Sequence, residues 1–427
     1  FHLVSNVQLD GQRLIKWLRA EFPSLKIKKL LAISTGFVAL NLALFLGAQF
    51  IDIRPYWIFS LFLYFIFYLY NFKMLQTYFD MIFHLDDELT KFRQVLRYLE
   101  SYSYGKNEHL REMCGPFLDP QIVPSKQLRK IKLVTAAVGM RMNPIIAILL
   151  NLILPWDFFF SRLIHHYRDE MKIILPQWVD TWAELEALIA ISNFAYLNPD
   201  YCFPDIINQE SGNLESPLVE ARNMGHPLIP ADQKICNDFS INNRGEVNLI
   251  TGSNMSGKST FLKTIGVNLC LAYAGGTVNA AHLRTSLFRI FTSIKINDSI
   301  VDGFSFFYAE VKRLRALLDA LQDDLQYPVL FLIDEIFRGT NNRERLIGSR
   351  SYIRHLVSQN GLGLIATHDL ELTKLADQFS NITNFHFREE VVAGRMVFDY
   401  KLHPGPCPTT NALKIMMMEG LPVILEE

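Results

Sequence analysis

The spacing of hydrophobic positions changes along this chain, and each regime predicts a different kind of element. From Leu30 to Phe50 the sequence reads LLAISTGFVALNLALFLGAQF without one charged residue. A helix needs about 20 such residues to cross the hydrocarbon layer of a bilayer. After a charged break at Asp52 and Arg54, a second apolar run covers Tyr56 to Phe72, YWIFSLFLYFIFYLYNF, with aromatic residues at both edges, where bilayer interfaces would lie. A transmembrane helical hairpin is therefore predicted within residues 1–85, with spans at about 30–50 and 56–72. A pair of buried core helices is the plainer alternative. A cleaved signal peptide fits worse, because the first run is too long and a second follows at once. A third run, PIIAILLNLILP from Pro144 to Pro155, is too short to cross and predicts a buried or interfacial helix.

The basic flanks give the hairpin an orientation. Arg13, Lys16, Arg19, Lys26, Lys28 and Lys29 precede the first span and Lys73 follows the second, so the positive-inside bias places both ends in the cytoplasm. The same cluster serves equally as an anchor to anionic lipid heads. From Asp86 to Tyr196 apolar residues recur at three- and four-residue steps, the helical period. In DTWAELEALIAISNFAY (Asp180–Tyr196), Leu185, Leu188, Ile189 and Ser192 fall on one side, while Glu184 and Glu186 read as a solvated face. Pro199, Pro204, Gly212 and Pro217 then interrupt the pattern. The division expected is a hairpin over 1–85, a helical region over 86–210 and an α/β region over 211–427.

Candidate chemistry concentrates in the last region. A short strand-like run, Glu246 to Thr251, leads into Gly252, Ser253, Asn254, Met255, Ser256, Gly257, Lys258 and Ser259, followed by a helical stretch from Thr260. This fits GxxxxGK[ST] at every fixed position, in the strand–loop–helix context that gives the pattern meaning. The glycines let successive backbone N–H groups curl toward a phosphate chain, and the helix adds its positive end. Lys258 can reach the terminal phosphates of ATP, and the Ser259 hydroxyl can ligate Mg²⁺. A second apolar run, YPVLFLID, ends at Asp334 and Glu335, the former suited to Mg²⁺ and the latter to polarising an attacking water. A third, LGLIATH, ends at His368, where a side chain could sense the γ-phosphate. Taken singly, an Asp-Glu pair or a His is more often structural. Three polar strand ends in this order are harder to explain so.

Composition adds limits. Half the residues are hydrophobic and 12% aromatic, and the excess is concentrated in the apolar runs, which favours lipid-facing segments over an unusually apolar core. A formal net charge of −1 excludes a polycation built to coat nucleic acid, so any DNA contact needs a local basic surface. Cys114, Cys202, Cys236, Cys270 and Cys407 are scattered without a CxxC pair, which suggests free thiols in a reducing compartment. The sequence opens on Phe1 rather than Met, which is compatible with an upstream portion.

Several segments together resemble the MutS mismatch-repair family. TGSNMSGKST (Thr251–Thr260) is similar to the family's Walker A form TGPNMGGKST, and LIDEIFRGT (Leu332–Thr340) to its Walker B form LDEIGRGT. ATHDLELTKLA (Ala366–Ala376), DGFSFFYAEVKRL (Asp302–Leu314), MGHPLIP (Met224–Pro230) and YKLHPGPCPTTNALKIMMMEGLP (Tyr400–Pro422) resemble further family segments, as does Glu184–Pro204 upstream, so the likeness runs from about 180 to 422. The resemblance implies a P-loop ATPase of the ABC class preceded by helices of the core and lever type. It implies Mg²⁺ and ATP as cofactors, Glu335, His368 and Lys258 as catalytic residues, and a head-to-tail homodimer. In that dimer Ser305 and the loop Gly339–Asn341, with Asn341, would reach the nucleotide of the opposite subunit.

Departures from the family pattern are also visible. Phe337 and Asn341-Asn342 replace the usual Gly and Ser-Thr, and no aromatic stands near KICND (Lys234–Asp238) to stack on adenine. No segment resembles the family's mismatch-reading domain; a hairpin stands there instead. Two functions are therefore carried forward. One is an ATP-driven switch acting on DNA, mismatched or branched, in repair; the other is a membrane-anchored ATPase acting on a protein or membrane partner without DNA. Transport of the ABC type fits poorly, since two spans are too few and GFSFF stands where LSGGQ is needed.

Overall fold

A computed structural model describes residues 15–16, 18–19, 27–51, 53–207, 217–294, 306–323, 325–359, 361–392 and 395–408. The chain divides into two compact units, Phe1–Leu188 and Ile189–Glu427.

The described part of the first unit is helical. Its elements are α1 (Ile27–Phe50), α2 (Trp57–Ser101), α3 (Glu108–Met113), α4 (Gly115–Leu118), α5 (Pro124–Gly139), a 3₁₀ turn at Met140–Met142, α6 (Pro144–Ile153) and the part of α7 (Trp156–Leu197) that precedes Ile189. Both α1, of 24 residues, and α2, of 45, are long and apolar enough to cross a membrane. The two apolar runs thus lie on two helices as expected, but the second does not stop at Phe72. Nothing between Phe72 and Ser101 breaks a helix, so α2 continues as one rod.

Polarity inverts along that rod. Beyond residue 74, Leu75, Phe79, Ile82, Leu85, Leu89, Phe92 and Leu96 are buried at helical spacing, against α5 and its neighbours. Before it, Ile58, Phe59, Phe62, Phe65, Ile66 and Tyr70 point outward, while Ser60, Tyr64 and Asn71 are buried. α1 shows the same inside-out order, with Ser34, Asn41 and Gly47 buried and Leu40, Leu42 and Phe45 exposed. Phe37 packs between Tyr64 and Phe67, with ring centroids 5.8 Å from each.

The second unit is α/β, and two sheets organise it. A six-stranded sheet runs in the order β12 (His403–Pro404), β9 (Ile382–His386), β4 (Val247–Thr251), β8 (Leu362–Ala366), β7 (Val329–Asp334), β6 (Arg289–Ser293). All its neighbours are parallel except β12, which pairs antiparallel with β9. A four-stranded sheet has the order β1 (Asp205–Ile207), β5 (His282–Ser286), β2 (Val219–Met224), β3 (Asn237–Ile241), and β10 (Glu389–Val392) forms a hairpin with β11 (Arg395–Phe398).

Strands β4, β7 and β8 are buried along their whole length, the state that an unbroken apolar run predicts for a parallel sheet covered on both faces. Alternation divides the cover. Leu330 and Leu332 share a core with Phe261, Leu262, Ile265 and Leu269 of α8 (Lys258–Tyr273). Phe331 and Ile333 pack instead with Leu314 and Leu317 of α9 (Phe306–Gln322) and with Ile353 and Leu356 of α10 (Asn342–Ser358).

Register positions the site. Ile365 of β8 stands opposite Leu249 on one side and Ile333 on the other, and Ala366 opposite Ile250 and Asp334. The strand ending near His368 therefore lies between the other two, and all three polar ends emerge at one sheet edge.

Candidate functional site

At that edge the chain leaves β4 into a tight loop. Gly252 holds φ at +142°, and a β-carbon there would lie 2.6 Å from the carbonyl oxygen of Phe387 and 2.8 Å from Ser256 Oγ. Gly257 holds φ at +111° and caps α8. Both glycines are thus required by backbone geometry, as the phosphate-loop pattern anticipates. Lys258, only 6% exposed, folds across the loop and donates to the carbonyls of Gly252 and Ser253, both at 2.7 Å. Burial lowers its pKa, against the opposing pull of the Glu335, Asp334 and Glu389 carboxylates. Ser253 Oγ donates to Glu389 Oε2 at 2.7 Å, and Ser256 Oγ is buried without a hydrogen-bond partner among the described residues.

Asp334, 8% exposed, ends β7. Glu335 follows with φ at +63°, and its N–H donates to Ala366 O at 2.9 Å, tying the turn to β8. Its carboxylate is held on both oxygens, with Oε1 3.1 Å from His368 Nδ1 and Oε2 2.7 Å from Arg338 Nε. The His368 hydrogen bond is the main reason the Glu335 carboxyl titrates below its usual range; Arg338 and Lys258 act in the same direction, against burial. Next to His368, Asp369 receives a two-pronged pair from Arg345, at 3.0 and 2.9 Å.

These groups border one cleft of about 710 Å³, lined by Asn254, Met255, Ser256, Gly257, Lys258, Ser259, Thr260, Asp334 and Glu335. Gly252 and Ser253 stand behind that lining and act through their carbonyls, while His368 acts through Glu335. Asn341 does not line the cleft; its side chain caps α10 by accepting from Glu344 N at 2.9 Å. Ser305 and residues 409–422 lie outside the described residues.

Four contributors went unnoticed in the sequence. Arg338 sits three residues past Glu335, a spacing that closes the turn. Glu310 of α9 is buried and accepts from the N–H groups of Phe337 (2.6 Å) and Arg338 (3.4 Å), bracing the same turn from below. Its one signal in the sequence is that it is the single acid in FSFFYAEV. His226 and Tyr400 also line the cleft, with Ile235. Lys234 turns away and stands over the Tyr201 ring at 5.3 Å. Phe239, which adjoins Lys234–Asp238, is buried against Phe261, whereas Tyr400, from far along the chain, lines the cleft. Asn237 holds it in place, donating to Tyr400 O at 3.0 Å.

Phe337 explains a second departure. It adopts φ +58°, a left-handed conformation that suits Gly, and its ring packs on Gly348, Phe307 and Tyr352.

Comparison with known proteins agrees with this geometry. Residues 248–427 match the family described as MutS domain V. The DNA mismatch repair protein MutS of Lactobacillus helveticus (strain DPC 4571) is 30% identical over 266 residues, covering 60% of this chain and 30% of the relative. That of Exiguobacterium sp. (strain ATCC BAA-1283 / AT1b) is 30% identical over 265 residues with the same coverage. The match thus spans under a third of the relatives' length. Residues 248–427 are thus a MutS domain V, and the likeness of this chain to MutS proteins covers part of each.

Proposed function

We propose that this chain is a MutS-type ATPase, binding Mg²⁺-ATP in the cleft at the edge of β4, β8 and β7 and hydrolysing it to ADP and phosphate. The observation that carries the reading is register: three segments distant in sequence bring a glycine loop, an Asp-Glu pair and a histidine to one rim. The residues fit a triphosphate. Loop amides and the start of α8 favour anionic oxygens, the buried Lys258 ammonium supplies a counter-charge, and Ser256 Oγ is a hydroxyl still without a partner. Ser259 and Asp334 would hold Mg²⁺. Glu335, kept ionised by His368, accepts the proton of the attacking water, and His368 couples that carboxylate to the γ-phosphate position.

In this reading two copies pair head to tail, with Ser305 and the Gly339–Asn341 loop reaching the opposite nucleotide, and closure acts on mismatched or branched DNA during repair. A second reading keeps the ATPase without the DNA. It is favoured by the inside-out hairpin of α1 and α2, whose small and polar residues face inward and whose large apolar residues face outward, as in helices packed within lipid. The protein then sits in the cell membrane with its ATPase in the cytoplasm.

The test uses the full chain in lipid nanodiscs. Lys258→Ala should abolish nucleotide binding or turnover, and Glu335→Ala should bind ATP without splitting it. Parent-rate hydrolysis by Glu335→Ala would remove Glu335 as the base. Binding to matched, mismatched and branched duplexes across a salt series separates the two readings, because phosphate contacts give a negative log–log slope. No binding to any of the three leaves the second.

A further inference from the structure

The third apolar run raises a question that neither its length nor its composition answers: where it goes. α6 has 10 residues, about 15 Å of helix, roughly half the hydrocarbon thickness. It is not buried. Ile145, Ile148 and Ile153 are 70%, 68% and 68% exposed. Ala147, Asn151 and Leu152, with the exposed Ile148 at the margin, border an apolar groove completed by Ile58, Leu61, Phe62, Phe65 and Tyr68 of α2. It therefore adjoins that part of α2 whose large apolar residues point outward.

The two ends of this excursion are fastened together. Arg141, just before α6, pairs through Nε with Asp157 Oδ2 at 3.4 Å, and Asp157, just after it, is fully buried. Tyr68 of α2 donates to the same Asp157 oxygen at 2.6 Å, and the Arg141 guanidinium lies 4.1 Å from the Phe79 ring centre. Asn151 of α6 closes the loop by accepting from Asp157 N at 3.1 Å. Chain entry and exit thus sit at one level, that of Tyr68 to Phe79, where α2 passes from its outward-apolar to its inward-apolar part. A buried ion pair there needs both partners, since a lone buried charge is costly.

We propose that α6 is embedded in lipid without crossing it, its apolar surface against acyl chains and both its ends stapled by Arg141, Asp157 and Tyr68 on the face where α2 continues. The occupant of the exposed surface is lipid, because that surface is continuous with the outward-apolar face of the hairpin and shares a groove with it. The proposal rests on the membrane reading of α1 and α2.

The experiment labels single cysteines, placed in a cysteine-free full chain in sealed vesicles, with a membrane-impermeant maleimide. Arg54→Cys reports the far turn of the hairpin, Met142→Cys and Arg162→Cys the two flanks of α6, and Ile148→Cys and Ile153→Cys its body. The expected result is that both flanks react from one side, Arg54→Cys reacts only from the other, and the two body positions react from neither. Flanks reacting from opposite sides, or body positions as reactive as the flanks, would overturn the proposal. Arg54→Cys reacting from the same side as the flanks would instead remove the hairpin reading beneath it. A photoreactive residue at Ile148 in the native-cysteine chain gives an independent reading: crosslinks to phospholipid support it, and crosslinks only to protein or water overturn it.

Discussion

Replacing Gly252 by alanine tests the phosphate loop at its tightest point. The added β-carbon would sit 2.6 Å from a backbone oxygen, Phe387 O, and 2.8 Å from Ser256 Oγ. Neither neighbour moves freely, for the Phe387 side chain is buried and its N–H donates to Thr251 O at 2.9 Å, while Ser256 is buried in the loop. Backbone strain at φ +142° adds to the clash. Sparsely populated conformations cost on the order of 1–3 kcal/mol, and overpacking a tight site costs about the same. The sum, roughly 2–6 kcal/mol, corresponds to a fall of about 4–24 °C in the melting of a unit of this size. Relief by loop movement would instead appear in ligand binding, where roughly 1.4 kcal/mol is tenfold in affinity. Scanning calorimetry of the full chain, with and without Mg²⁺-ATP, reads both. A melting point within 1 °C of the parent's and an affinity within about twofold would refute the reasoning.

His368→Ala removes the main contact that lowers the Glu335 pKa, so the acid limb of the rate profile should move to higher pH; an unmoved limb would contradict the pairing. In the parent, a depressed carboxyl pKa contributes stability that is present above the ordinary carboxylate range and is lost as pH falls through the lowered value. Glu310→Ala leaves two backbone N–H groups of the Glu335–Arg338 turn without their acceptor, a cost of about 1–3 kcal/mol, and should lower kcat more than it weakens ATP binding. Glu310→Gln keeps the acceptor and should restore most of the rate, whereas equal losses in both variants would count against the bracing role. Arg345→Ala breaks the two-pronged pair with Asp369 and should lower the melting point by a few degrees; no change would mean that this anchor is dispensable.

Much of the site was legible because its chemistry sits at the ends of apolar runs. Asp334 and His368 could be assigned to one rim once β4, β7 and β8 were recognised as buried parallel strands. The glycine loop needed only its spacing. Contacts made across long separations were not legible: Ser253 to Glu389, Glu310 to Phe337, Asn237 to Tyr400. Each depends on sheet register and helix packing that no local pattern encodes. The hairpin shows a different limit. A change from apolar to amphipathic composition near Phe72 invites a boundary, yet composition does not stop a helix; Pro, Gly or a cap does. α2 therefore runs through to Ser101. The exposure of α6 was equally unreadable, because an apolar run of that length serves a core and a lipid surface alike.

The central claim is that the loop from Gly252 to Thr260 encloses the triphosphate of Mg²⁺-ATP. Isothermal titration of Mg²⁺-ATP into the full chain and into Lys258→Ala addresses it most directly. The account predicts saturable binding by the parent, and a loss of at least about tenfold in affinity in the variant, roughly the 1.4 kcal/mol expected for removing one charge-assisted contact. Equal affinities, or no binding by either protein, would contradict it.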